Sequence, residues 1–206
     1  MPSDTGQLFV VSAPSGAGKT SLVRALLRLR VNLRVSVSHT TRPPRPQEVD
    51  GRDYCFVSVP EFQELVEEHA FLEYAQVFGN YYGTGRAQVN ATLSKGLDLL
   101  VEIDWQGARQ VRAAMPGCVS IFILPPSRAT LEQRLHSRGT DSEAVINQRL
   151  REAREDLVHW NEFDYVVVND RFETALEELE SIIDGEGQAL RANRPELKPL
   201  IASLLA

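Results

Sequence analysis

The segment Ala13-Pro14-Ser15-Gly16-Ala17-Gly18-Lys19-Thr20 constrains this chain more than any other stretch. It follows directly on the apolar run Leu8-Phe9-Val10-Val11 and leads into SLVRALLRLR, whose apolar residues recur at helical spacing. A strand, a glycine loop and a helix N-terminus in that order form the setting of a phosphate-binding P-loop. Gly16 and Gly18 let the backbone curl until several N–H groups point at one anion, and the helix dipole adds to the attraction. Lys19 brings a charge to the outer phosphates, and the Thr20 hydroxyl stands where it can meet Mg2+. One position departs from the usual motif: Ala13 replaces its first glycine, a change small enough to fit. The competing reading, a glycine-rich turn before an ordinary helix, leaves the strand-loop-helix context unexplained.

Five short apolar, β-branched runs recur along the chain: LFVVSA (8–13), VSVS (35–38), LLVEID (99–104), VSIFIL (119–124) and DYVVVN (164–169). Near-continuous apolarity predicts parallel strands covered on both faces. Helical patterns at 20–30, 86–95, 105–114, 127–136 and 142–160 separate most of them, which predicts an α/β fold with a parallel sheet. Residues 41–96 break the alternation with a proline-rich loop, strand-like YCFVS, a helix PEFQELVEEHA capped by Pro60, and FLEYAQVFGNYYGT. These predict a small inserted antiparallel sheet. A second insertion, RLHSRGTDSEAVINQRLREARED, is charged, bends at Gly139 and is expected to bury little core of its own. At 206 residues the chain can form one domain carrying such flaps.

A net charge of −6 and a pI near 5.3 offer no global basic field for nucleic acid or acidic membranes. Arginines are nevertheless grouped at 42, 45 and 52 and again at 134, 138, 149, 151 and 154, a pattern suited to a small anionic ligand. Cys55 and Cys118 lack metal-ligand spacing and read as reduced thiols. MPSDTGQ has neither a basic n-region nor an apolar h-region, and no run approaches the ~20 residues of a membrane helix. The expectation is a soluble, cytoplasmic protein.

In open α/β sheets ligands gather at the carboxyl ends of the strands, where Ser38, Asp104, Arg128 and Asn169 fall beside the P-loop. Each alone reads as well as a turn or cap residue. Arg42 and Arg45, spaced by prolines and followed by Tyr54, suit bidentate phosphate binding with an added hydroxyl donor. Arg134 and Arg138 lie one helical turn apart, with Arg149 in the following helix. They could neutralise a transferring phosphoryl group, or form a solvated face with Glu143, Glu152 and Glu155.

APSGAGKT, SVSHTTRPPRPQEVDGRDYCFVS, FLEYAQVFGNYYGT, EIDWQGARQVR, RLHSRGTDSEAVINQRL and YVVVND, in this order from about residue 7 to 186, resemble bacterial guanylate kinases. The resemblance implies a P-loop NTPase-type core over about 1–38, 97–126 and 159–190, with a GMP-binding insertion over about 39–96. It further implies a small helical lid over about 127–158, a tail over 191–206, and transfer of the ATP γ-phosphoryl group to GMP. By motif, Ala13 to Thr20 would bind ATP, with Thr20 on Mg2+ and Asn169 near the adenine. Ser38, Arg42, Arg45, Tyr54 and Tyr82 would hold the GMP phosphate, Glu48 would buttress the arginines, and Glu73, Thr84 and Asp104 would read guanine. Lys19, Arg42, Arg134, Arg138 and Arg149 would stabilise the transferring group. Glu102 stands where the family often has Asp, on one strand face with Asp104, and His39 where Ser is common, as a solvated loop residue. The resemblance also implies a homo-oligomer, with a dimer favoured. Other readings are a non-catalytic scaffold domain of the same fold and a same-fold kinase for another phosphorylated small molecule. Lys19 and the three distal arginines argue against the first. The set Glu73, Thr84 and Asp104 argues against the second.

Overall fold

The structure is a computed structural model that describes residues 5–77, 79–137 and 143–206. Its strands are β1 (Leu8–Ser12), β2 (Leu33–Val35), β3 (His39–Thr40), β4 (Cys55–Phe56), β5 (Phe71–Val77), β6 (Asn80–Gly85), β7 (Asp98–Glu102), β8 (Val119–Leu124) and β9 (Tyr165–Val168). Its helices are α1 (Lys19–Leu29), α2 (Val59–Glu67), α3 (Arg86–Leu93), α4 (Trp105–Ala114), α5 (Arg128–His136), α6 (Glu143–Leu157), α7 (Phe172–Ile183) and α8 (Leu197–Leu205). A five-stranded sheet runs in the order β2-β7-β1-β8-β9, with β2–β7 and β8–β9 parallel. Every residue of β1 is buried, as expected of a central strand covered on both faces. The chain divides into two compact units, Met1–Val10 with Asn32–Val119 and Val11–Val31 with Ser120–Ala206.

The first unit carries a second sheet, ordered β4-β3-β6-β5. It is mixed rather than antiparallel throughout: β3 pairs with β4 in parallel, because the proline-rich loop returns the chain in the same direction. β5 and β6 form the expected hairpin, with a bulge between Phe71 and Glu73. Phe62 of α2 stacks on Phe71 and Tyr81 at 4.6 and 5.4 Å, which fixes the helix to the hairpin. The cap of α2 is Ser58, not Pro60. The Ser58 hydroxyl accepts from the Glu61 N–H, the Glu61 carboxylate accepts from the Ser58 N–H, and Pro60 sits inside the first turn, where its missing N–H costs nothing.

Strand β2 begins earlier than expected, at Leu33, in register with Asp98–Leu100 of β7. After Ser36 donates to the Leu100 carbonyl the chain leaves this sheet, so Ser38 lies in the connection to β3. His39 is not a loop residue: it belongs to β3, is half-buried, and meets the Phe71 ring edge-on at 5.4 Å. Burial holds its pKa below the ordinary histidine value.

The second unit holds the glycine loop, α1, nearly all of β8, β9 and helices α5 to α8. Leu22, Val23 and Leu26 of α1 are fully buried, each contributing about 1.5–3 kcal/mol. Arg30, just beyond α1, forks onto Asp184 and reaches Glu180 of α7 at 3.2 Å. Helix α7 is an element that the strand–helix alternation did not locate. Its apolar stripe of Ala175, Leu179 and Ile182 is short and sits among acidic residues. The Arg-rich segment buries more than its charge suggests: Leu131 and Leu135 of α5 pack with Ile146, Leu150 and Ala153 of α6. Apolar residues three and four apart give these otherwise polar helices one sheltered seam. The bend at Gly139 and Arg138 lie outside the described residues.

Candidate active site

In the second unit, Gly16 and Gly18 take φ of 90° and 96°, the left-handed region where side chains are disfavoured, and Gly18 is the N-cap of α1. The Ala17 carbonyl receives the Asn169 side-chain amide at 2.8 Å and the Arg134 guanidinium at 3.4 Å. Arg134 also donates to the Asn169 carbonyl at 3.0 Å. A Cβ at position 18 would stand only 2.3 Å from the Asn169 amide nitrogen, so this brace excludes every other residue there. In a trans peptide the carbonyl and the following N–H point in opposite directions. Holding the Ala17 carbonyl toward the buried Asn169 therefore aims the Gly18 N–H the other way. Lys19 opens α1 and is half-buried, Thr20 follows it exposed, and Arg149 is half-buried on α6. The bracing of the loop by Asn169 and Arg134 was beyond sequence reasoning, because the partners are more than a hundred residues apart and no local pattern links them.

In the first unit, Arg42 meets Glu48 through two parallel hydrogen bonds of 3.0 Å. Its guanidinium also lies 5.3 Å from the Tyr54 ring centre, and Tyr54 packs edge-on against Tyr82. The Arg42 hydrogen bond holds the Glu48 carboxyl below the usual range. Glu48 engages Arg45 differently, through the Arg45 main-chain N–H at 2.7 Å, and leaves the Arg45 side chain exposed. Burial pushes the Tyr54 hydroxyl pKa up, so it stays a donor at neutral pH.

A second chain of polar groups runs inward from Ser38. Its hydroxyl lies 3.5 Å from that of Thr84, which donates to Glu73 at 2.6 Å. Glu73 is only 4% exposed and Thr84 is fully buried. Desolvation, with a smaller push from Asp104, raises the Glu73 carboxyl to about 7 even though the Thr84 hydroxyl pulls it down. Asp104 lies beyond the end of β7 as the N-cap of α4, one oxygen accepting from the Gly107 N–H at 2.8 Å. Its direction is set by that cap and not by strand alternation with Glu102, which ends β7.

A parallel α/β sheet whose first strand runs through a glycine loop into a helix opening with Lys-Thr defines a P-loop nucleotide-binding protein. The guanylate kinase family model matches residues 5–186. A guanylate kinase from Methylococcus capsulatus is 56% identical over 200 residues, covering 97% of this chain and 98% of that protein. One from Nitrosococcus oceani is 53% identical over 201 residues, covering 98% and 99%. The crystal structure of guanylate kinase from Anaplasma phagocytophilum superposes with a TM-score of 0.72 at 33% identity, covering 97% of this chain and 95% of that one. The chain belongs to the guanylate kinase family.

Proposed function

We propose that this chain is a nucleoside monophosphate kinase that transfers the γ-phosphoryl group of ATP to GMP. An oxygen of the GMP phosphate forms the new bond to the γ-phosphorus, the bond from that phosphorus to the β-phosphate oxygen breaks, and ADP and GDP leave. The observation that carries the choice of acceptor is the buried Thr84–Glu73 pair with Asp104 as its electrostatic neighbour. Guanine presents its N1–H and N2–H2 donors side by side, and carboxylates accept from both. Adenine has an acceptor at N1 and would leave a buried carboxylate unpaired.

In this reading the loop N–H groups and Lys19 take the ATP phosphates, and Asn169 and Arg134 keep the loop in its anion-binding shape. The remaining Asn169 side-chain oxygen, buried and without a hydrogen-bond partner among the described residues, suits an approach to the adenine amino group. Arg134, Arg138 and Arg149 balance charge on the moving group. No general base is required, because positioning and charge stabilisation dominate phosphoryl transfer. The exposed Thr20 hydroxyl at the start of α1 fits Mg2+, which keeps several waters and takes few protein ligands. When bound, that ion neutralises phosphate charge. Residues 39–96 serve as the GMP-binding insertion and 127–158 as the lid.

The acidic chain with local arginines fits free nucleotides in the cytoplasm and not nucleic acid or a membrane surface. Among the described residues, no helix is long and apolar enough to cross a membrane. A homodimer completes the reading, and light scattering checks it.

The test is a steady-state comparison of GMP, AMP, UMP and dTMP as acceptors with MgATP. GMP is expected to exceed the others in kcat/KM by at least about a hundredfold, as a buried Glu73 and a half-buried Asp104 left unpaired would impose. Comparable rates with AMP would overturn the reading. Ser38, Arg42, Arg45, Tyr54 and Tyr82 hold the GMP phosphate, and Glu48 presets Arg42. Arg42→Lys, which cannot keep the forked pairing, is expected to raise the KM for GMP about tenfold and leave that for ATP within about twofold. Equal impairment of both substrates would contradict separate sites.

A further inference from the structure

We propose that Gly107 and Gln110 of α4 are positioning residues that set the spacing of the two guanine-reading carboxylates. The inference rests on the roles of Glu73 and Asp104 given above. Gly107 is buried within α4, although glycine is among the poorest helix formers. Its surroundings explain the choice. A Cβ at this position would stand 2.7 Å from a Glu73 carboxylate oxygen and 3.3 Å from the Glu73 Cδ and the Ile103 Cβ. The space that any side chain would take is filled by the carboxylate, while the Gly107 N–H holds one oxygen of Asp104 at 2.8 Å. One residue thus touches both acids.

Gln110 lies one turn further along the same helix face. Its side-chain oxygen accepts from the Tyr74 N–H at 3.1 Å and its amide donates to the Tyr74 carbonyl at 2.8 Å. β5 is the edge strand of its sheet, and this amide takes the place of a neighbouring strand at the residue after Glu73. The bulge between Phe71 and Glu73 turns the strand just before this point, where such features re-aim side chains. Asp104 is therefore referenced to α4 by its cap. Glu73 is referenced to the same helix by the Gly107 contact and the Gln110 clamp. A fixed separation matters for recognition because the N1–H and N2–H2 groups of guanine are themselves a fixed distance apart. Hypoxanthine, which lacks the 2-amino group, offers only one of these donors.

The test compares wild type, Glu73→Gln, Gly107→Ala and Gln110→Leu for kcat and KM with GMP, IMP and ATP, with circular dichroism confirming each fold. Gly107→Ala is expected to raise the KM for GMP about tenfold, the scale of one buried polar group losing its partner. The GMP-to-IMP ratio of kcat/KM should fall with it. The KM for ATP and kcat at saturating GMP should stay within about twofold, and Gln110→Leu should act in the same direction more weakly. The double variant Gly107→Ala with Glu73→Asp, which withdraws the carboxylate by one methylene, should recover part of the ratio. If Gly107→Ala does not fold, Gln110→Leu decides alone. Should Glu73→Gln lower the ratio while both α4 variants leave it and the GMP KM unchanged, the positioning role is overturned. An unchanged ratio in Glu73→Gln overturns the guanine-reading assignment beneath it. A loss confined to kcat or shared by the ATP KM marks a general structural effect and also overturns the proposal.

Discussion

Lys19→Met is expected to lower kcat by about 10²–10³-fold, the scale of removing one preorganised charge-stabilising donor, and to leave the fold intact. The lysine opens α1 directly after the left-handed Gly18, so its position is fixed by the loop that Asn169 and Arg134 brace. It is half-buried at the first position of α1, on the face that continues into the buried Leu22, Val23 and Leu26, so an unbranched, apolar methionine fits there without disturbing the packing. Charge on the phosphates shifts as the bond breaks, and a fixed ammonium stabilises it without reorganising. Steady-state kinetics with MgATP and GMP, alongside thermal unfolding, checks the expectation. Retention of more than about a tenth of wild-type kcat, a loss under about 1.4 kcal/mol, would remove Lys19 from the reaction.

The second large effect comes from Glu73, whose carboxyl is raised from its ordinary 4.5 to about 7. The folded chain then holds a proton over a pH window in which the unfolded chain has released it. The associated stability is complete below about pH 4.5 and is lost as pH rises through about 7, at a cost of up to about 3 kcal/mol above that. Glu73→Gln, uncharged at every pH, should therefore gain in melting temperature relative to wild type between pH 5 and about pH 8. GMP binding runs in the opposite direction, since the guanine donors need the ionised carboxylate. The KM for GMP is expected to rise as pH falls below about 7, by up to about tenfold per pH unit. The GMP phosphate titrates near pH 6 on its own account, and Glu73→Gln isolates that contribution. Superimposable pH profiles of the GMP KM in wild type and Glu73→Gln would refute the coupling.

Much of the site was legible because its features are local in the chain. Gly16, Gly18, Lys19 and Thr20 sit at spacings that only a strand–loop–helix turn explains, and the protein forms that turn with both glycines left-handed. Arg42 and Glu48 are six residues apart, close enough for one loop to bring them together. Helix α7 escaped notice because its apolar stripe is thin and its polar face acidic. The parallel pairing of β3 with β4 escaped because two-residue strands carry no periodicity. The place of His39 in β3 is hidden for the same reason, its neighbour Phe71 being supplied by another strand.

The α/β class, the phosphate loop and the family to which the chain belongs are written in the order of its residues. Backbone conformation and apolar periodicity are properties of neighbouring residues, and these features need nothing more. How the groups are poised depends on contacts between distant parts of the chain. The Ala17 carbonyl is turned by residues at 134 and 169, the Glu73 carboxyl is raised toward neutrality by burial with a smaller push from Asp104 and against the pull of Thr84, and Gly107 makes room for it. Desolvation and close contact depend on what the fold brings within a few ångströms, and no spacing along the chain encodes that distance.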